Sequence, residues 1–435
     1  MPARVIVVGG GVAGLLAARR HARDGAEVTV LEAADRWGGR VSAHEVHGLL
    51  LDAGAESFAT RSAAVADLAR GLGLGGDLVA PTRRPAWVVS PDRAYALPIT
   101  GWLGIPTRPL QPDVRRVIGW AAAVDAALER GRPLGDVADD ATVGSLVRSR
   151  LGERVARMLV APVLQGVYSR PLDELPLAAI DPTLPAQLRA AGSLTALAER
   201  RRALAPAGSA VLGVRGGIWR IAQALADAAL ADGVRLLGGT EAESVVRADG
   251  AWHVRAGGGT MTADTLVLAT TAAVAGRLVP ALDTAPEAAA RRVALVTLVL
   301  DAPALDAAPR GTGVLATDGV TRAKALTHAT AKWRWLREAA DGLHVVRLSY
   351  ALPDPDEDVA AHALDDAARL LGVPLAPPQV RASRTVVWDD ASPARVPDRA
   401  PLPGLELVGS AAGLSGLAAI VGAEQRPTPG QPARS

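Results

Sequence analysis

Arg4-Val5-Ile6-Val7-Val8-Gly9-Gly10-Gly11-Val12-Ala13-Gly14 opens the chain, and Glu27-Val28-Thr29-Val30-Leu31-Glu32 follows after one helical stretch. An apolar β run, Arg4–Val8, enters a Gly-x-Gly-x-x-Gly turn whose variable places hold Gly10, Val12 and Ala13. A helical pattern then runs from Leu15 to Arg23, Gly25 ends it, and a second apolar run closes on an acid. That order predicts a βαβ unit built to bind a dinucleotide. Gly9 permits the tight turn, Gly11 lets a pyrophosphate approach the backbone, and Gly14 lets helix and strand pack closely. The helix N-terminus offers free N–H groups and a positive dipole to the phosphates. Glu32, eighteen residues past Gly14, is placed to accept hydrogen bonds from a ribose 2′-OH. An acid there repels a 2′-phosphate, so NADP is not expected.

The chain has 435 residues, 49% of them hydrophobic, enough for a large core and too many for one compact domain. It contains no cysteine, which excludes disulfides, thiolate metal sites, a cysteine nucleophile and a cofactor linked through sulfur. The 47 basic and 45 acidic residues nearly cancel, and no basic tract is interleaved with aromatics, so nucleic acid is not an expected partner. No signal peptide is expected before the first strand, which starts within a few residues of Met1, and the absence of cysteine is compatible with a reducing cytoplasm, the expected location. Leu407–Ala423 is the longest uncharged run. It is short and rich in Gly, Ala and Ser, and reads as a strand and a loop rather than a membrane span. No transmembrane segment is expected; contact with a membrane surface stays open. His44 and His47 read as exposed or structural residues, not metal ligands, and no metal is expected.

Farther on, a segment rich in Pro, Trp and Arg (81–112) leads into helical patterns at Val114–Arg130, Val143–Arg150 and Gly152–Val160. Gly216-Gly217 opens another helix, Arg220 to Ala231. Short strands follow at Val234–Leu237, Ser244–Arg247, Trp252–Arg255 and Thr265–Ala269, then Arg291–Leu300. Late strands are expected at Val386–Trp388 and Glu406–Gly409. This interleaving predicts a discontinuous cofactor domain (residues 1–80, 205–275 and 380–425) and a second domain formed by 81–204 and 276–379, with a disordered tail at 426–435. A ligand cleft is expected between the two domains.

Arg36-Trp37-Gly38-Gly39-Arg40 and Leu51-Asp52-Ala53-Gly54-Ala55-Glu56-Ser57-Phe58 resemble the signature of the flavin amine oxidase and protoporphyrinogen oxidase superfamily. Gly38, Gly39 and Gly54 supply backbone-lined room for a flavin, and Arg40 can neutralise pyrophosphate charge. Gly166-Val167-Tyr168 tips the resemblance toward the porphyrinogen oxidase branch. Lys332-Trp333, Val346-Arg347-Leu348, Trp388 with Pro393, and Gly404–Gly422 resemble further segments of that family, so the similarity covers nearly the whole chain. It implies an α/β fold, with a Rossmann-like FAD-binding domain of the glutathione reductase type and an α+β substrate-binding domain.

The same resemblance implies FAD as cofactor, held by Gly9 to Gly14, Glu32, Ala33, Gly39, Arg40 and Gly54 to Ser57. Ala242 would meet the adenine, and Trp388, Gly409, Ser415, Gly416 and Leu417 would line the flavin. Gly166 would admit a flat macrocycle into the cleft; a helix terminator is an equal reading of that glycine. Arg83 and Arg84 are candidates for the substrate's carboxylates, and surface arginine is the better reading of either one alone. Trp87, Trp102 and Trp120 are candidates for an apolar pocket wall, with core packing the plainer reading. The implied activity is oxygen-dependent conversion of a porphyrinogen to the porphyrin in haem biosynthesis, with coproporphyrinogen III favoured and protoporphyrinogen IX next. Flavin N5 would accept the hydride, and no protein acid–base dyad is needed. Two alternatives stand beside it: an amine oxidase or desaturase, in which Lys332 would lie near the flavin, and a non-catalytic family member. The family's Pro-Gln-Tyr-x-x-Gly-His element is missing after Pro393, which motivates the last.

Overall fold

In a computed structural model of the chain, the structure describes residues 1–60, 62–138, 140–168, 171–203, 211–282, 292–352, 354, 357–389 and 402–424. The opening βαβ unit forms as its sequence dictates, with strand Arg4–Val8, helix Val12–Arg23 and strand Glu27–Leu31. These two strands join Arg235–Leu237, Thr265–Leu268 and Leu405–Leu407 in a five-stranded sheet, and every pairing in it is parallel. A parallel sheet must be covered on both faces, and alternation along the strands decides how. Val5 and Val7 pack toward Ala13 and Ala17 of the opening helix and Ala229 of helix Trp219–Ala231. Ile6 and Val8 pack the other way, against Trp252 and Val254 of an antiparallel three-stranded layer, Ala242–Ala263.

The second sheet has seven strands in the order Val380–Trp388, Arg292–Leu300, His344–Leu352, Ala325–His328, Gly313–Ala316, Trp87–Val89 and Ala94–Ala96. Val296, Leu298, Val346, Leu348 and Tyr350 face helix Ala363–Leu371. Val88 and Leu315, of opposite parity, pack against a helical body whose core includes Val114, Val147, Leu159 and Leu188.

Two expectations need correction. Val380–Trp388 pairs antiparallel with Arg292–Leu300 along its whole length. It therefore belongs to the second sheet and not to the parallel one. The helix expected over 114–130 is two, Pro112–Ile118 and Trp120–Ala127, because Gly119 sits at φ +83 between them. The helical piece expected over Gly152–Val160 does form, as helix Glu153–Val155 continued by a π-helical turn, Ala156–Val160, where the Tyr95 hydroxyl donates to the Met158 carbonyl at 2.9 Å. The loop at 205–209, the tail at 426–435, Ser169 and Pro393 lie outside the described residues. Among the described residues, no helix is long and apolar enough to cross a membrane, and no group of three or more His, Asp or Glu is arranged for a metal ion.

Candidate functional site

The glycine turn lies at the carboxyl ends of the parallel strands. Gly9 has φ +108, and a Cβ there would lie 2.6 Å from the Ala269 carbonyl oxygen; a Cβ on Gly14 would collide with the Gly9 carbonyl. Gly11 is different: a Cβ on it would meet nothing within 4 Å. Gly11 is also the N-cap of helix Val12–Arg23, gives it no side-chain cap, and no acid stands in the first turn. The orphan N–H groups and positive end of that helix therefore face open space, a cradle that fits a pyrophosphate.

The Arg36–Arg40 loop is laid directly on this turn. Gly38 N donates to the Gly10 carbonyl at 2.8 Å, and the Trp37 ring occupies the space a Cβ on Gly10 would need. Glu32 accepts Gly10 N–H on one oxygen (2.7 Å) and Ala34 N–H on the other (2.9 Å), which leaves each oxygen a further lone pair for a ribose hydroxyl. Ala33 and Gly39 are exposed beside it. Arg40 is half-buried and reaches the Asp389 carbonyl at 3.2 Å.

The far end of the chain returns to this turn. Gly409, at φ +60, comes so close to the opening helix that a Cβ would lie 2.6 Å from that of Ala13. Arg20 of the same helix pairs with Glu406 and Glu424, and His21 with Glu406 at 2.9 Å. Helix Leu417–Glu424 is thereby fastened along Val12–Arg23, with Ser415 and Gly416 exposed and Leu417 half-buried at its start. Ala242 is buried at the start of the antiparallel layer. Trp388 Nε1 donates to the Ala53 carbonyl at 3.2 Å, which ties the second sheet to the segment after Leu51.

That segment carries the densest charge in the site. The Glu56 carboxylate lies 2.6 Å from Lys332 Nζ and 3.6 Å from Arg347 Nη1, with all three side chains largely buried. Arg347 also donates to the Gly54 carbonyl at 2.6 Å. Burial pushes the Glu56 pKa up, but Lys332 and Arg347 outweigh it and hold the carboxyl below its usual value. The Glu56 carboxylate is thereby held between two basic side chains. Asp52, just upstream, accepts the backbone N–H groups of Ile218 (3.1 Å) and Trp219 (2.8 Å) at the start of helix Trp219–Ala231. Burial raises its pKa to about 7 against the pull of those two donors.

Glu32, the Gly9–Gly14 turn, Gly39, Arg40, Gly409 and Trp388 thus belong to one connected set of contacts. The arginines expected at the cleft do not join the Glu56 cluster. Arg84 is exposed and donates to the Ala307 carbonyl at 3.0 Å, and Arg83 is exposed beside it. Gly166 lies inside helix Ala161–Tyr168, so the helix does not end on it. Trp120 is 60% exposed with Arg115 stacked on its ring, which removes it from any pocket wall; Trp87 and Trp102 are half-buried. His47 is exposed, but His44 is buried within strand Ala43–Val46 rather than near a loop. Arg347 and Asp52 received no role from sequence reasoning. A charged residue inside the apolar run Val345-Val346-Arg347-Leu348 was the available signal for the first.

Residues 12–405 match the family described as flavin containing amine oxidoreductase. The chain is 32% identical over 453 residues to coproporphyrinogen III oxidase of Mycobacterium tuberculosis, covering 98% of this chain and 96% of that one. It is 30% identical over 416 residues to coproporphyrinogen III oxidase of Propionibacterium freudenreichii, covering 85% and 77%. Among solved structures, the Exiguobacterium sp. 255-15 protein named "Putative protoporphyrinogen oxidase" superposes with a TM-score of 0.81 at 24% identity, covering 98% and 97% of the two chains. That likeness shows a shared fold.

Proposed function

The chain belongs to the flavin containing amine oxidoreductase family, and on that premise we propose that it binds FAD and oxidises a porphyrinogen to the porphyrin with dioxygen. Coproporphyrinogen III is the favoured substrate and protoporphyrinogen IX the next. The observation that carries this reading is the full-length kinship with the mycobacterial coproporphyrinogen III oxidase. The open cradle at Gly11 and the free lone pairs of Glu32 support FAD.

In this reading Gly11, Gly39 and Arg40 hold the pyrophosphate and Glu32 the ribose. Gly54 to Ser57, Trp388 and Ser415 to Leu417 surround the ring. FAD, when bound, supplies the hydride acceptor. The protein's part is to orient the substrate, exclude water and hold the Glu56 carboxylate between Lys332 and Arg347. Lys332 is paired with Glu56 at 2.6 Å, within the Gly54–Ser57 segment assigned to the ring, and the choice of a porphyrinogen over an amine rests on the full-length kinship. The parallel sheet and its flanking layers form the cofactor domain. The second sheet with its helical body forms the substrate domain, with Gly166 in the cleft and Arg83 the remaining candidate for a propionate. The protein works in the cytoplasm.

Incubating the purified protein, with FAD, against each porphyrinogen and following porphyrin fluorescence tests the proposal. A gain over the uncatalysed control with coproporphyrinogen III supports it. No gain with either substrate, or peroxide release from amines alone, overturns it.

A further inference from the structure

Five polar side-chain atoms, all buried and without a hydrogen-bond partner among the described residues, are carried by the hairpin Ala43–Asp52, the residue before it, and the strands of the second sheet on which that hairpin packs. They are Ser42 Oγ, both ring nitrogens of His44, Thr297 Oγ1 and Arg347 Nε. Their residues are 3%, 8%, 0% and 8% exposed. Thr297 and Arg347 are direct partners across the sheet, and Arg384 continues the row. Two residues along, Val299 and Val345 are likewise partners and pack with Val46 of the hairpin. Strand alternation puts His44 on the same side as Val46, over the Thr297 row. Ser42 lies at the cofactor end, where its carbonyl accepts Ala53 N–H at 2.8 Å and the Ala53 carbonyl accepts Trp388 Nε1.

Buried polar groups in folded proteins are paired, by ordered water where no protein atom reaches them. His44 is the telling member. A neutral imidazole carries one N–H and one lone pair, and here both nitrogens lack a protein partner. Burial and the charges of Arg347, Arg384 and Arg36 lower its pKa to about 4, so it is neutral at pH 7.

We propose that this layer binds a short chain of internal water molecules and that His44 relays protons along it, taking a proton at one ring nitrogen while releasing one from the other. The chain leads toward Arg347, Gly54 and Glu56, which are linked to one another at the site. The chemistry there requires proton traffic. Each two-electron step removes a hydride and an N–H proton from the porphyrinogen, and dioxygen takes up two electrons and two protons to become hydrogen peroxide. The relay itself is balanced, with one proton in, one out and no change in charge. In needing reoxidation by dioxygen, it rests on the function proposed above.

The test uses the full-length FAD-loaded protein, reduced without substrate and mixed with dioxygen. His44→Ala is expected to reoxidise roughly tenfold to a hundredfold more slowly than the parent, with added imidazole restoring the rate. His44→Gln keeps a donor and an acceptor but cannot exchange tautomers, and is expected to stay slow. Parental rates in His44→Ala, no rescue by imidazole, or a parental rate in His44→Gln would each overturn the relay. Nitrogen-15 NMR of His44 in the cofactor-free parent gives a reading that needs neither variant nor FAD. Two hydrogen-bonded ring nitrogens support the water chain, and a free ring nitrogen contradicts it. A protein that takes up no FAD refutes the function proposed above and is recognised beforehand from its colourless spectrum.

Discussion

Lys332 Nζ lies 2.6 Å from Glu56 Oε1, and this contact joins the short helix Ala329–Lys332, which follows a strand of the second sheet, to the segment after the first hairpin. Arg347 reinforces it from strand His344–Leu352, on the same carboxylate and on the Gly54 carbonyl.

Glu56→Gln should therefore destabilise the protein by about 3 kcal/mol, because it leaves Lys332 and Arg347 buried without their counter-ion. Adding Lys332→Met to Glu56→Gln should restore part of the loss. Urea unfolding of the two single variants and the double variant measures both; equal midpoints for all four proteins would refute the coupling.

Gly11 and Gly14 should separate binding from folding. Gly11→Val places its side chain in open space at φ −70, so stability should stay within about 0.5 kcal/mol of the parent while FAD uptake is lost. Gly14→Val drives a side chain into the Gly9 carbonyl and should unfold or severely destabilise the chain. Thermal melting together with flavin absorbance reads the two effects apart.

Stability should fall on acidification below about pH 6.5. Burial holds His44 neutral with its pKa lowered to about 4, and burial with neighbouring His344 lowers His328 to about 3. A histidine with a depressed folded pKa binds more protons when unfolded, so its cost grows as pH drops from the unfolded value toward the folded one. At pH 5 each costs about 2 kcal/mol. Asp52 runs the other way. Its folded pKa is raised to about 7, so its contribution is complete below its unfolded value and is lost as pH rises through 7. Asp52→Asn should thus steepen the acid-side loss seen in denaturant midpoints between pH 7 and pH 5; an unchanged slope would refute the assignment.

The opening βαβ unit was legible because its signals are contiguous: an apolar run, three spaced glycines, a helical period and an acid at the next strand's end. Only the end of strand Val380–Trp388, from Val386, was legible as a strand, and not as a member of the second sheet, since alternation says nothing about which partner lies alongside. Gly119 was missed as a helix break because the apolar period continues across it from Val117 to Ala123. The Glu56–Lys332–Arg347 cluster joins residues nearly three hundred positions apart, and only tertiary packing brings them together. His44 reads from the sequence as an exposed or structural residue; its burial comes from the second sheet lying against its strand, which no local spacing encodes.

The central claim is that the Gly9–Gly14 turn, the Arg36–Arg40 loop and the returning C-terminal segment together hold a flavin that oxidises a porphyrinogen. The visible spectrum of the purified protein, recorded before and after anaerobic addition of coproporphyrinogen III and again on admitting air, tests it most directly. The account predicts a yellow protein that bleaches with substrate, regains colour in air and develops porphyrin fluorescence. A colourless protein that takes up no added FAD, or a yellow one that stays unbleached with either porphyrinogen, would contradict it.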